Sequence, residues 1–385
     1  MYKLAKLFPK VAIVADQMTS YGGADAELLS MLKILSHADI FTILFDRNKY
    51  PDITNRVYTS FVQKIARLFP KGFSRHLKIF TPLAYESFNF DEYNLVISIS
   101  AGPAKGVITG IYQPHVAMVM TPPRSLWDNE LNVRGSKLRW LYRPLSRVLN
   151  TRLRIWDWSI SRRVDYWTAN SKYVAQKIKK TYGKDATVIY PGIIKEEFVK
   201  VDVRKKYSLP KNFVLVVSRL YDYKRIDWAI HACKETNSNL VIIGEGPDLK
   251  YLKKIAKKDK RITFLGFIPD PERDSFFKEA EVLLFCGVED FGLVPVEAMS
   301  HGTPVLAYKE GGVLETVKEG ITGEFFKNEK ELSNLLKNFN KRGYNEQNII
   351  SQAEKFTETK FLNNLEQFLI NVSKEEKKKY PRRNS

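Results

Sequence analysis

Short apolar runs rich in β-branched residues alternate with stretches of helical periodicity along most of the chain, and this alternation constrains the fold more than any other feature. A first series opens with Val11-Ala-Ile-Val-Ala15, a Thr19-Ser-Tyr-Gly-Gly23 turn, and a helix carrying Leu28, Leu29, Leu32 and Leu35. Further strands are predicted at 40–45, 95–99 and 115–120. A second series follows the Pro191-Gly192 break, with strands at 213–218, 240–243, 262–265, 282–285 and 304–307. Strand-helix alternation of this kind builds parallel α/β layers rather than a sandwich or a helical bundle. Ligands in such layers bind beyond the carboxyl ends of the strands, where helix N-termini point, so a cleft between two halves is the expected site. The expected division is 1–192, 193–350, a helix over 351–373 packing back on the first half, and a basic tail over 374–385.

Composition narrows the reading further. Hydrophobic residues make up 44% of the 385, which excludes general disorder. The two cysteines, Cys233 and Cys286, lack the spacing of a zinc module and cannot form a disulfide framework, which favours a reducing cytoplasm. The N-terminus does not read as a signal peptide, and no run of 18 apolar residues exists to span a bilayer.

The net charge of +19 admits any polyanionic partner, but it is localised. Segment 133–163 carries nine basic residues against Asp157, and 374–385 carries six against two acids, so together they supply twelve of the net charges. Arg139, Arg143 and Arg147 recur at helical spacing beside a leucine face, with Trp140, Trp156 and Trp158 interleaved. A basic amphipathic helix of this kind can lie on an anionic leaflet. The competing reading is a solvated basic face over a core stripe, interrupted at Pro144. The tail is expected to be mobile. No nucleic-acid-binding motif accompanies the charge, so nucleic acid is not an expected partner.

The segment 287–304, Gly-Val-Glu-Asp-Phe-Gly-Leu-Val-Pro-Val-Glu-Ala-Met-Ser-His-Gly-Thr-Pro, carries the most chemistry. Pro295 fits the first position of a helix, which leaves Glu289 in the preceding loop and Glu297 in the first turn. Gly292 permits close backbone approach, and the amides of Leu293 and Val294 lie at the positive helix end. Amides there can meet a diphosphate while the two carboxylates accept hydrogen bonds from sugar and ribose hydroxyls. Each glutamate alone could be an ordinary helix-start or loop acid. Arg219 and Lys224 follow the strand at 213–218, and preorganised cations of that kind stabilise a departing diphosphate. Gly244-Glu-Gly-Pro247 follows another strand in the same way.

The ordered set Arg219…Lys224, Gly244-Glu-Gly-Pro247, Leu265-Gly-Phe-Ile268, Glu289-x7-Glu297 and Gly311-Gly-Val-Leu-Glu315 resembles the donor-binding domain of the retaining GT-B glycosyltransferases of family 4. The resemblance covers about 190–326. It implies two Rossmann-like domains, an N-terminal acceptor-binding one and a C-terminal nucleotide-sugar-binding one. It further implies that Arg219 and Lys224 hold the donor diphosphate, that Glu289 contacts the transferred sugar and Glu297 the ribose, and that Phe267 and Ile268 meet the base. Phe291 belongs to the same motif. The N-terminal half is similar to mannosyltransferase-like enzymes of surface-polysaccharide and lipid-linked oligosaccharide assembly, through 11–16 with Tyr21-Gly-Gly-Ala24, 93–100 with 104–106, and Thr121-Pro-Pro-Arg-Ser-Leu-Trp-Asp128. Gly22 and Gly23 would approach the donor phosphates, and Asp16, Tyr21, Met120, Arg124 and Asp128 would lie on the acceptor side. Two positions depart from the family: Met120 stands where a histidine is common, and Asp25 where glutamate often follows Gly-Gly-Ala. His115 cannot substitute, since five strand residues span about 17 Å and reverse the face.

No nucleophilic triad or metal-ligand cluster stands out among five scattered histidines, and Asp-x-Asp is absent. The expected reaction is therefore metal-independent and cofactor-free, and by resemblance retaining, with a GDP- or UDP-linked donor as substrate. The favoured expectation is transfer of a hexose, mannose from GDP-mannose, to a glycan or lipid-linked acceptor by a peripheral protein on the cytoplasmic membrane face. The alternatives are a catalytically weak nucleotide-sugar-binding subunit, which Met120 motivates, and a glycosidase using Glu289 and Glu297 as a carboxylate pair.

Overall fold

The computed structural model describes residues 2–20, 22–68, 79–128, 139–194 and 200–380, with only the backbone of 139–146. The chain forms two compact units. One takes in the chain up to 128, 139–190 and the residues from 359; the other is Pro191–Glu358.

The first unit is built on a seven-stranded sheet: β1 (Val11–Ala15), β2 (Asp39–Thr42), β3 (Val57–Thr59), β4 (Leu95–Ser100), β5 (His115–Val119), β6 (Tyr166–Ala169) and β7 (Thr187–Val188). Every pairing is parallel, in the order β3-β2-β1-β4-β5-β6-β7. β1, β4 and β5 are buried at every position, as strands covered on both faces must be, which is why they read as unbroken apolar runs.

The second unit repeats the design with β8 (Val214–Val217), β9 (Leu240–Ile243), β10 (Ile262–Gly266), β11 (Val282–Phe285), β12 (Val305–Tyr308) and β13 (Gly323–Phe326). These are again all parallel, in the order β10-β9-β8-β11-β12-β13. In both sheets the strand order reverses beside the first strand, between β1 and β4 and between β8 and β11. That reversal opens a crevice at the carboxyl ends, where open α/β sheets bind ligands. The expected α/β class with two Rossmann-like sheets is thus borne out.

The last helix, Glu358–Lys379, lays Phe361, Leu365, Leu369 and Val372 into the core of the first unit, among Val11, Ile13 and Ile97. Each such buried side chain contributes roughly 1.5–3 kcal/mol. The lysines at 374 and 377–379 lie on its final turns, so for these residues the expectation of a mobile tail is corrected; Arg382 and Arg383 lie outside the described residues. The expected break at Pro144 is also corrected: the helix Arg139–Ile160 runs through it. Cys233 and Cys286 are buried and unbonded, and burial pushes the Cys233 thiol up to about 12.

Candidate functional site

The reversal between β8 and β11 brings together two of the residues singled out for the donor. Lys224 ends a short 3-10 turn, Asp222–Lys224, after β8; Glu289 stands in the loop after β11; their side chains form an ion pair. Both are largely shielded, with side-chain exposures of 11% and 21%. Lys224 lines a recess between the two strands with Val217, Ser218, Cys286 and Gly287. Gly287 is required there, since an added Cβ would come 2.9 Å from the Lys224 backbone. Arg219 is exposed on the same β8 loop and lies over the Tyr221 ring at 5.9 Å.

The loop bearing Glu289 is fixed from the neighbouring strand. Gly311 pairs with Glu289 in an isolated parallel bridge, and the Gly312 amide donates to the Glu289 carbonyl at 2.9 Å. Gly311 has φ +90° and would place a Cβ 2.4 Å from that carbonyl, so only glycine fits. After β9, Gly244 is pressed still closer to the Ser218 carbonyl.

Gly292, at φ 86°, caps the helix Leu293–Ser300, and Phe291 is buried edge-on against Phe356. Pro295 is the third helical residue and not the first, and Glu297 therefore lies in the second turn; the first-turn amides, those of Leu293 and Val294 included, have no intrahelical acceptor, so proline is tolerated throughout that turn. The Glu297 Oε1 lies 3.3 Å from the guanidinium of Arg273, which also donates to Asp270 at 2.8 Å. Its Oε2 is buried without a hydrogen-bond partner. Burial pushes the Glu297 carboxyl up, and Arg273 pulls it back. Arg273 was not legible as its partner, because only the fold brings 273 to 297. Of the two base-loop residues, Phe267 is 70% exposed whereas Ile268 is buried.

In the first unit, Asp16 follows β1 at the other reversal. Its carboxylate accepts from the Ser100 hydroxyl at 3.0 Å and from the amides of Ala101 and Ala104 at 2.9 and 3.1 Å. It straps the loop after β4 to the end of β1, and burial raises its carboxyl while these bonds lower it. Gly22 is extended and precedes the helix Gly23–Leu32; its amide donates to Asp25 Oδ2 at 2.8 Å, and Tyr50 donates to Asp25 Oδ1 at 2.8 Å. Tyr21 lies outside the described residues. Met120, just past β5, is buried with its sulfur 3.9 Å from the Asn170 amide nitrogen. His115 opens that strand, buried against the Ser98 hydroxyl. Arg124 lies 3.9 Å from Asp128, which also takes Lys177 at 3.2 Å.

Comparison with known proteins agrees with this geometry. Residues 200–356 match the family described as glycosyl transferases group 1, so the resemblance read from the order of the donor motifs is borne out over that span. The matched segment makes up most of the second unit. The chain is 28% identical over 213 residues to a GDP-mannose-dependent alpha-(1-6)-phosphatidylinositol monomannoside mannosyltransferase of Mycobacterium tuberculosis, covering 49% of this chain and 54% of that one. It is 32% identical over 153 residues to an uncharacterized glycosyltransferase of Methanocaldococcus jannaschii, covering 35% and 39%. The chain thus spans about half the length of the curated relatives it matches. Among solved structures, Anabaena HepE in complex with UDP superimposes with TM-score 0.68 at 20% identity, covering 94% of this chain and 99% of that one. The fold is GT-B.

Proposed function

We propose that the chain is a retaining hexosyltransferase that moves mannose from GDP-mannose to a glycan or lipid-linked acceptor at the cytoplasmic face of a membrane. The reading rests on one observation above all: the shielded Lys224–Glu289 pair at the β8/β11 reversal, inside the segment that matches glycosyl transferases group 1. In this reading the second unit binds the nucleotide sugar and the first the acceptor. Without donor, Glu289 neutralises Lys224. An incoming diphosphate takes over the ammonium, with Arg219 beside it, and releases Glu289 to accept hydrogen bonds from the sugar.

As the glycosidic bond to phosphate breaks, charge develops on the leaving diphosphate, and the two cations meet it with no metal ion needed. The acceptor oxygen attacks from the same face and gives its proton to the departing phosphate oxygen. The donor base follows the name of the mycobacterial relative, whereas the Anabaena neighbour was solved with UDP. Among the described residues no helix is long and apolar enough to cross a membrane, and a peripheral location fits that.

The test is calorimetry and mass spectrometry over GDP-mannose, UDP-glucose and UDP-N-acetylglucosamine with lipid-linked acceptors. Expected are binding and transfer from GDP-mannose, with Glu289→Ala lowering transfer by about a hundredfold or more. No binding of any donor, or unchanged transfer by the variant, sinks the reading. A second reading, a nucleotide-sugar-binding subunit of weak activity, is favoured by the buried, non-titrating Met120; donor binding with neither transfer nor donor hydrolysis selects it.

A further inference from the structure

We propose that the solvent face of residues 147–162, the loop 107–112 and the last turns of the Glu358–Lys379 helix form one docking face for an anionic phospholipid bilayer. The setting rests on the membrane reading above, but the contact itself needs neither donor nor acceptor.

The sequence showed only two basic segments, far apart in the chain. The structure adds that the intervening surface is apolar and that the sole acid of 147–162 is withdrawn from it. Asp157 is 1% exposed, paired with the equally buried Lys105 at 2.5 Å, and takes further hydrogen bonds from Trp127 and Tyr182. Arg147, Arg152 and Arg162 remain outward with no acid among them. Beside them stand Ile155, 64% exposed, and Trp158, 45% exposed, with the Arg162 guanidinium 4.9 Å from the Trp158 ring centre.

The loop 107–112, Val-Ile-Thr-Gly-Ile-Tyr, has no charge and leaves Ile111 78% exposed, with Ile108 and Tyr112 each about half exposed. It is tied to the Arg139–Ile160 helix end through Gly106. The Gly106 carbonyl accepts from Arg163 at 3.1 Å, and a Cβ there would strike Trp156. On its other side the Tyr112 ring meets the Tyr380 ring at 4.9 Å, next to exposed Lys377, Lys378 and Lys379. Of the acids around these lysines, Glu376 is engaged by Tyr166, Asp165 is exposed but accepts from the His115 amide at 2.9 Å, and Glu375 is exposed, so the basic residues still outnumber them. An uncharged aliphatic loop flanked by arginines on one side and lysines on the other matches a leaflet, which offers hydrocarbon beneath anionic headgroups. A nucleic acid would use the cations but has no place for two exposed isoleucines.

The experiment is co-sedimentation of the full chain with vesicles of phosphatidylcholine alone, or with about 30% phosphatidylserine added. Binding is expected to the anionic vesicles, weakened about tenfold by Ile108→Asp with Ile111→Asp, and about 25-fold or more by Arg152→Glu with Arg162→Glu. Lys205→Glu with Lys254→Glu, an equal charge change in the second unit, should leave it within about twofold. Thermal midpoints within about 2 °C of wild type establish that each variant is folded. The proposal is overturned if wild type ignores phosphatidylserine, if the isoleucine variant binds as wild type, or if the control pair loses as much. It is overturned equally if duplex DNA is retained with the same losses. Absent glycosyl transfer alongside intact vesicle binding rejects the proposed function and leaves this face standing.

Discussion

Glu27 is a carboxyl buried on the helix Gly23–Leu32, 6% exposed, and burial pushes it from 4.5 up to about 8. The folded chain therefore holds a proton that the unfolded chain releases near pH 4.5. Stability conferred by the neutral form is fully present below that value and is lost as pH rises toward 8. Glu27→Gln removes this dependence. Its advantage over wild type should grow from near zero at pH 4.5 to as much as about 4 kcal/mol at pH 8, read as urea midpoints across the series. A constant difference at every pH would reject the assignment. His115, held down at about 4 by burial, acts with the opposite sign below pH 6.5 but is common to both proteins and cancels. Single residues were the scale least legible in the sequence. That Glu289 and Lys224 both face the donor was implied by the family resemblance, but their ion pair was not, and Asp16 strapped to Ser100, Arg273 on Glu297 and Lys105 on Asp157 likewise depend on strand order and helix docking, which no local pattern encodes.

At the scale of elements, hydrophobic runs located most strands because a parallel sheet buries both faces of each one. β3, β6, β7 and β13 escaped: they are short, and β3 and β7 are largely unburied, so no continuous apolar run marks them. Prolines misled at 144 and 295, where the helix tolerates them. The Gly311-Gly312 turn shows how one element positions another. Gly311→Ala must relieve both the positive φ and the contact with the Glu289 carbonyl, at a cost of about 1–3 kcal/mol. Because relief displaces the Glu289 loop, donor affinity should fall about tenfold. Gly320→Ala is the control: φ is +75°, but nothing lies within 4 Å of the added Cβ. It should lose about 1–2 kcal/mol and leave donor affinity unchanged. Equal affinity losses in the two variants would show that strain alone, and not the bridge to Glu289, is responsible.

For the whole molecule, the two proposals assign the excess of positive charge two tasks that salt separates. Lys224 acts at near contact on a shielded partner, where mobile ions screen little, while the arginines and lysines of the proposed docking face act across water on a charged surface. Raising ionic strength from about 0.1 to 1 M shortens the Debye length from roughly 10 to 3 Å. Transfer to an acceptor embedded in anionic vesicles should then fall about tenfold or more, following the loss of bound protein, while transfer to a water-soluble acceptor fragment or slow hydrolysis of the donor changes by less than about twofold. Arg152→Glu with Arg162→Glu should reproduce the high-salt behaviour at low salt, since it removes the same attraction locally. If salt depresses both reactions equally, the exposed cations steer the donor rather than hold the membrane. The net charge would then belong to the nucleotide site after all.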